Sequence, residues 1–211
     1  MWPRILGPPP KHDRPQAQPT MHDRPPTAGT VIRRATADDL DAIGAIYAES
    51  VLSGVASYEL VPPTAAEMRT RFEAVTAGGY PWLVAGAPGA VAGYAYASAF
   101  RTRPAYRWLV EDSIYVDAAR RGSGIGRALL DRLLGECDAL GFRQMVAVIG
   151  GAHPASIGLH QAAGFVSCGR IAASGFKFGR WLDTEFMQRP LGEGARTLPD
   201  EKAYPGTLFG G

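Results

Sequence analysis

The stretch VEDSIYVDAARRGSGIGRALLDRLLGECDALG, residues 110–141, constrains this chain more than any other. A segment of alternating apolar residues reads as a strand and runs into three glycines, Gly122, Gly124 and Gly126. Behind them Leu129, Leu130, Leu133, Leu134, Cys137 and Leu140 recur at helical spacing, with Arg127, Asp131, Arg132, Glu136 and Asp138 on the other side. Gly141 marks the end of that helix. A strand needs a sheet, and the helix's apolar stripe needs the face of that sheet. The pattern therefore demands a layered α/β arrangement.

The neighbouring segments extend the same alternation. VIRRAT (31–36) predicts a strand, and Thr36 or Asp38 can cap a helix carrying Leu40, Ile43, Ile46 and Tyr47. Pro62-Pro63-Thr64 opens a second helix with Met68, Phe72 and Val75 on one side. YPWLVAG and AVAGYAYASAF predict two strands around a Pro88-Gly89 turn. QMVAVIG is continuously apolar, as a strand covered on both faces should be. PASIGLHQAAGF predicts a short helix stopped by Gly164, and FVSCGRIAA and RWLDTEFMQRPL two closing strands. The predicted order is β-α-α-β-β-β-α-β-α-β-β, a mixed α/β domain.

At 211 residues the chain has room for one well-cored domain and tails. Residues 1–29 hold eight of the seventeen prolines and repeat HDRP at His12 and His22. Such a segment predicts a disordered leader, with Met21 as an alternative start and metal binding by the His-Asp pairs as a minor option. The domain is expected over 30–191 and a flexible tail over 192–211. A formal charge of +2 gives no reason to expect nucleic acid or an acidic membrane as partner. The N-terminus lacks the apolar core of a signal peptide. The two cysteines, Cys137 and Cys168, form neither a metal-ligand spacing nor a disulfide framework. A soluble protein of the reducing cytoplasm is the expectation, with no metal site.

What the glycines touch is the functional question. The dinucleotide fingerprint fails because Arg127 stands where its third glycine belongs. The nucleotide-triphosphate loop fails because no Gly-Lys-Ser/Thr occurs. Arg121-x-x-Gly124-x-Gly126 remains, between a strand and a helix start. Backbone N–H groups converge there, the helix dipole adds roughly half a positive charge, and Arg120 and Arg121 strengthen the field. A pyrophosphate suits that loop. By itself, a plain structural turn suits it equally.

The loop and its surroundings carry a resemblance. EDSIYVDAARRGSGIGRALL, RQMVAVIGGAHPASIGLHQAAGF and GFKFGRWLDTEFMQRPL, in this order, resemble the phosphinothricin and methionine sulfoximine N-acetyltransferase branch of the GCN5-related N-acetyltransferase superfamily. The resemblance implies a single domain of α/β class, with a mixed, mostly antiparallel central sheet flanked by helices. It also implies acetyl-CoA as co-substrate. On this reading Arg121, Gly122, Ser123, Gly124, Ile125, Gly126 and Arg127 hold the pyrophosphate. The Ile114-Tyr115-Val116 strand pairs with the pantetheine arm and offers an N–H to the oxyanion. Glu111 matches the family's general base, which must free the amine of its proton. His160 matches a histidine of this branch and is expected as a helper acid/base. His153 stands where the family has asparagine, so its cofactor contact is expected to be weakened or rearranged and not lost, and Ser156 beyond it is expected to bind the cofactor. Outside the family match, Glu111 reads as a solvated strand-end carboxylate and His160 as a structural histidine.

FRTRPAYRW supplies the expected substrate end: Phe100, Arg101, Thr102, Arg103 and Arg107, with Arg101 as the carboxylate partner. Tyr58, in VASYEL, matches a substrate-facing loop between the first two helices. Lys177, Arg180 and Trp181 fit a site wall or a dimer interface. The expected reaction is direct acetylation of the amine of a small acidic amino acid or analogue, by a protein whose relatives are homodimers. Another small amine, a protein terminus, or a CoA-binding module without turnover are the alternatives.

Overall fold

A computed structural model describes residues 30–202. Seven strands form one sheet in the order β1-β2-β3-β4-β5-β7-β6. Their ranges are β1 Ile32–Arg34, β2 Trp82–Ala85, β3 Gly93–Ala99, β4 Leu109–Val116, β5 Gln144–Gly150, β6 Val166–Lys177 and β7 Arg180–Pro190. Four helices interleave: α1 Leu40–Ser53, α2 Ala65–Ala77, α3 Ile125–Ala139 and α4 Pro154–Ala162. The element order is the one the periodicity predicts. β4 and β5, joined through α3, are the one parallel pair in this sheet, and the other pairings are antiparallel.

The helices divide between the two faces. The stripe of α3, including Ile125, Leu129, Leu130 and Leu133, packs with Leu83, Ala95, Val110 and Met145 of the sheet. Ile157 and Leu159 of α4 join that cluster. On the opposite face α1 contributes Ile43, Ile46, Tyr47 and Val51 to a second cluster around Trp82, Val84 and Tyr94. Trp82, Tyr94, Tyr96 and Tyr115 stack across three strands there, with Trp82 and Tyr96 centroids 4.3 Å apart. Consecutive residues of β4 therefore serve different layers: Ile114 reaches the α3 side and Tyr115 the α1 side.

Local chemistry sets the helix starts. Thr64 accepts from the Glu67 N–H at 3.3 Å, while the Thr64 N–H donates to Glu67 Oε2 at 2.7 Å. Ahead of α1 the N–H and hydroxyl of Thr36 both donate to Asp39 Oδ2. Asp39, not Asp38, is thus the organising carboxylate, and Arg33 pairs with it at 2.6 Å.

β6 departs from expectation in length. It runs on to Lys177 through irregularities after Ser167 and Ile171, and it turns into β7 at Phe178-Gly179. After β7, Arg143 holds the chain by donating to the carbonyls of Gly194 and Thr197, within the span expected as a tail. The leader and its HDRP repeats lie outside the described residues. Among those described, no helix is long and apolar enough to cross a membrane, and no cluster of metal-ligating side chains occurs.

Candidate active site

The parallel pairing of β4 with β5 covers Leu109–Asp112 against Gln144–Ala147 and then stops. β4 continues to Val116 and β5 to Gly150, so the strands part and a cleft of about 780 Å³ opens between them. Ile114, Tyr115 and Val116 line it from one side and Val148, Ile149 and Gly150 from the other. The far edge of β4 stays paired with β3, Tyr115 opposite Tyr94. The β5-facing backbone edge is left free to bind an extended ligand as a strand would.

The glycine loop forms the mouth. Gly124, at φ +86°, is the residue before α3, and that left-handed backbone suits glycine alone at no cost. It turns the first N–H groups of α3 toward the cleft, which Gly122, Gly124, Ile125, Gly126 and Arg127 all line. Arg120 and Arg121 line it as well. The Arg121 guanidinium pairs with Glu49 of α1 at 2.5 Å and donates to the Val116 carbonyl. Arg127 is held by Asp131 and donates to the Ala162 carbonyl. Ser123 turns its hydroxyl to the Arg120 carbonyl. His153 precedes α4, and it and Ser156 face the cleft from the far side.

Deeper in, Glu111, Asp112 and His160 all line the cleft where the strands part, Asp112 bonded to His160. Burial, with the charge of Asp112, raises the Glu111 carboxyl to about 7, and the charge of Arg101 draws it back part of the way. Such a group exchanges a proton near neutrality. His160 is buried, with Nδ1 2.8 Å from the Ser156 carbonyl and Nε2 3.0 Å from Asp112 Oδ2. Burial lowers its affinity for a proton, but the hydrogen bond and charge of Asp112 outweigh this and raise it.

In the 100–107 segment residues 101–106 are exposed and Phe100 and Arg107 half-buried, and the segment lies outside the cleft wall. Arg101 stacks on Phe100 at 4.1 Å and donates to its carbonyl, Arg107 lies 4.9 Å over Trp108, and Arg103 precedes a short turn at Pro104–Tyr106. Thr102 is exposed beside them. Of this group, Arg101 reaches Glu111 through its charge.

Tyr58 does not face the cleft. Its hydroxyl donates to the Asp183 carbonyl at 2.8 Å, meets Thr184 Oγ1 at 2.9 Å and accepts from the Gly151 N–H. It thereby holds down the preceding Val55-Ala56-Ser57, which do line the cleft. Lys177 helps from β6, its buried ammonium donating to the Ser57 carbonyl at 2.8 Å. Gly150 allows the approach: a Cβ there would sit 2.7 Å from the Val55 carbonyl oxygen. Sequence reasoning placed this loop at the site through Tyr58 but missed Val55, Ala56 and Ser57 as the residues that line the cleft, and also Tyr96 and Asp112. The Gly150-Gly151 pair after a buried strand is the signal that could have revealed the loop.

The site is thus a strand pair splayed after a short parallel contact, with a glycine-led helix at its mouth and a carboxyl of raised proton affinity at its apex. The GNAT acetyltransferase domain family matches residues 32–186, and this chain belongs to it. It is 45% identical over 192 residues to a phosphinothricin N-acetyltransferase of Alcaligenes faecalis, covering 87% of this chain and 98% of that one. An L-methionine sulfoximine/L-methionine sulfone acetyltransferase of Pseudomonas paraeruginosa is 42% identical, covering 76% of this chain and 94% of its own. The crystal structure of a Sinorhizobium meliloti phosphinothricin acetyltransferase in complex with acetyl-CoA superposes with a TM-score of 0.83 at 62% identity, over 85% of this chain and 98% of that one. The single mixed α/β domain and the acetyltransferase class are thus the ones the motifs imply.

Proposed function

We propose that this acetyltransferase uses acetyl-CoA to acetylate the amine of a small acidic amino acid or analogue of the phosphinothricin or methionine sulfoximine type. The observation that carries the reading is the placement of Glu111, with a carboxyl raised to about 7, at the closed end of the cleft. The relatives named for those two substrates, matched over nearly their whole length, support the substrate class.

The cleft fits acetyl-CoA. Its volume lies in the range of small-molecule sites, its mouth offers helix N–H groups and two arginines for phosphates, and its wall offers a free strand edge for an amide-bearing arm. Arg121, Gly122, Ser123, Gly124, Ile125, Gly126 and Arg127 would hold the pyrophosphate, Ile114, Tyr115 and Val116 the pantetheine arm, and His153 and Ser156 the far side. When bound, acetyl-CoA supplies an activated acetyl group. Arg121 must then exchange its Glu49 partner for phosphate oxygens, or serve both.

Glu111 takes the proton of the incoming ammonium, which a carboxylate of matched affinity does near neutral pH. A β4 backbone N–H meets the oxygen as it becomes anionic. His160, which the resemblance implies as helper acid/base, has both ring nitrogens bonded, to the Ser156 carbonyl and to Asp112, and contributes position and charge. Arg101 draws the substrate's carboxylate or phosphinate toward Glu111, with Phe100, Thr102, Arg103 and Arg107 forming the entrance and Tyr58 fixing the opposing loop. The protein works as a cytoplasmic homodimer on this reading, in keeping with its two free thiols. The edge strand β6, its turn and the start of β7 present Phe176, Phe178 and Trp181 to solvent, an apolar group suited to a second copy.

Purified protein, acetyl-CoA and a panel of amines test this by thiol release. The panel holds methionine sulfoximine, phosphinothricin, ordinary amino acids, a polyamine and a short peptide. Saturable release with either of the first two is expected. Release with the peptide or polyamine alone overturns the substrate class, and no release with any amine overturns the proposal.

A further inference from the structure

We propose that Asp112 is a positioning residue for the acetyl transfer: with His160 it shares a proton between Oδ2 and Nε2, and this pair fixes the imidazole and the charge beside Glu111. The effect on turnover rests on the function proposed above, whereas the pairing rests on geometry alone.

The hydrogen-bond inventory of the ring leaves little freedom. The Ser156 carbonyl can only accept, so Nδ1, 2.8 Å away, carries a hydrogen. If the ring were neutral, Nε2 would then aim a lone pair at a carboxylate oxygen 3.0 Å distant. The two side chains are 4% and 2% exposed, so water cannot screen that repulsion. A proton must lie between them. An imidazole binds it more tightly than a carboxylate does, so the pair is an imidazolium beside a carboxylate. The ring of Phe165 closes another side edge-on at 5.0 Å, which restricts rotation of the imidazole.

The surroundings give Asp112 no other cation. The titratable groups that feel it are His160 from α4, Cys137 from α3 and Glu111 beside it on β4. Among the described residues no Lys or Arg pairs with it. Burial and the charge of Asp112 hold the Cys137 thiol protonated, so no thiolate competes for the proton. Asp112 Oδ1 is buried with no hydrogen-bond partner among the described residues. Its backbone is the last of β4 to pair with β5, which sets the side chain at the apex of the cleft. From there it raises Glu111, the proposed base, and orients His160 opposite. Both ring nitrogens are spent in this arrangement, so His160 acts through its fixed charge and position.

The test is the nitrogen spectrum of the full chain labelled with 15N-histidine, with His160 assigned by comparison with His160→Gln. At pH 7.5 an ordinary exposed histidine is largely neutral. Wild-type His160 is expected to show both nitrogens protonated, and Asp112→Asn, whose amide can donate to Nε2, to show Nε2 unprotonated. The same variant should lose about tenfold or more in kcat. The acid limb of its kcat/KM profile should move to lower pH, with little change in KM for acetyl-CoA. A wild-type His160 that is neutral at pH 7.5 overturns the proposal, and this needs no variant to fold. So does Asp112→Asn with an unmoved profile and unaltered kcat. If Glu111→Gln acetylates at the wild-type rate, the general-base assignment fails while the histidine spectrum stands, so the two failures are separable.

Discussion

Asp112 and Ala147 form the last pair between β4 and β5. One residue before this point stands Glu111 and beyond it the strands diverge, so the register of a single parallel contact decides where a base meets a cleft. The fold does its functional work at that one position, and the consequences can be measured separately for the base, the loop and the substrate entrance.

The base should cost stability. Glu111 has its folded affinity for a proton raised from the ordinary carboxyl value to about 7. Its contribution is therefore fully present below the unfolded value and is lost as pH rises through about 7. Glu111→Gln removes that loss. The variant should be more stable than wild type at pH 8 by on the order of 1–2 kcal/mol, after allowance for partial solvent screening. At pH 5 the gap should shrink. Thermal unfolding at both pH values checks this, and a variant no more stabilised at pH 8 than at pH 5 contradicts it.

Two glycines of the loop should respond differently. Gly124 sits at φ +86°, so Gly124→Ala should lower stability by roughly 1–2 kcal/mol as well as weaken acetyl-CoA binding. A Cβ on Gly126 would meet Leu159 at 3.5 Å and Val116 at 3.7 Å, ordinary contacts. Gly126→Ala should leave Tm unchanged or raised and still increase KM for acetyl-CoA, because the methyl group narrows the cradle. An unaltered KM would remove Gly126 from it.

Arg101→Ala should raise KM for the amine substrate by about 10-fold or more while leaving KM for acetyl-CoA alone. Because the Arg101 charge lowers the Glu111 carboxyl, the acid limb of the pH profile should also move upward. A profile that does not move would mean that Arg101 does not act on Glu111.

Much of this molecule was legible in its sequence because local periodicity carried it. The α3 stripe is buried from Leu129 to Cys137 as its spacing implies, with Leu140 half-buried at its end, and the glycine loop precedes the helix where a strand-to-helix turn is expected. β6 was legible only in part. It lies exposed at the sheet edge along almost its whole length, so no buried face imposes alternation, and bulges after Ser167 and Ile171 break what remains. Asp112 escaped notice because its significance is tertiary. Its partner His160 lies 48 residues on, and along the strand it reads as one more charge beside Glu111. The Val55-Ala56-Ser57 loop has no pattern of its own. It is set by Lys177 and by Tyr58 bonding to β7, contacts made across more than a hundred residues. Tyr58 was recognised as a residue of this loop, yet its hydroxyl is turned to the sheet.

The most direct measurement is the pH dependence of kcat/KM for the amine substrate in wild type and Glu111→Gln, beside the affinity of each for acetyl-CoA. Wild type should rise through an acid limb near 7. The variant should lose about 10²–10⁴-fold in rate and lose that limb, with acetyl-CoA bound as before. A variant that turns over at the wild-type rate with the same limb would show that Glu111 is not the base.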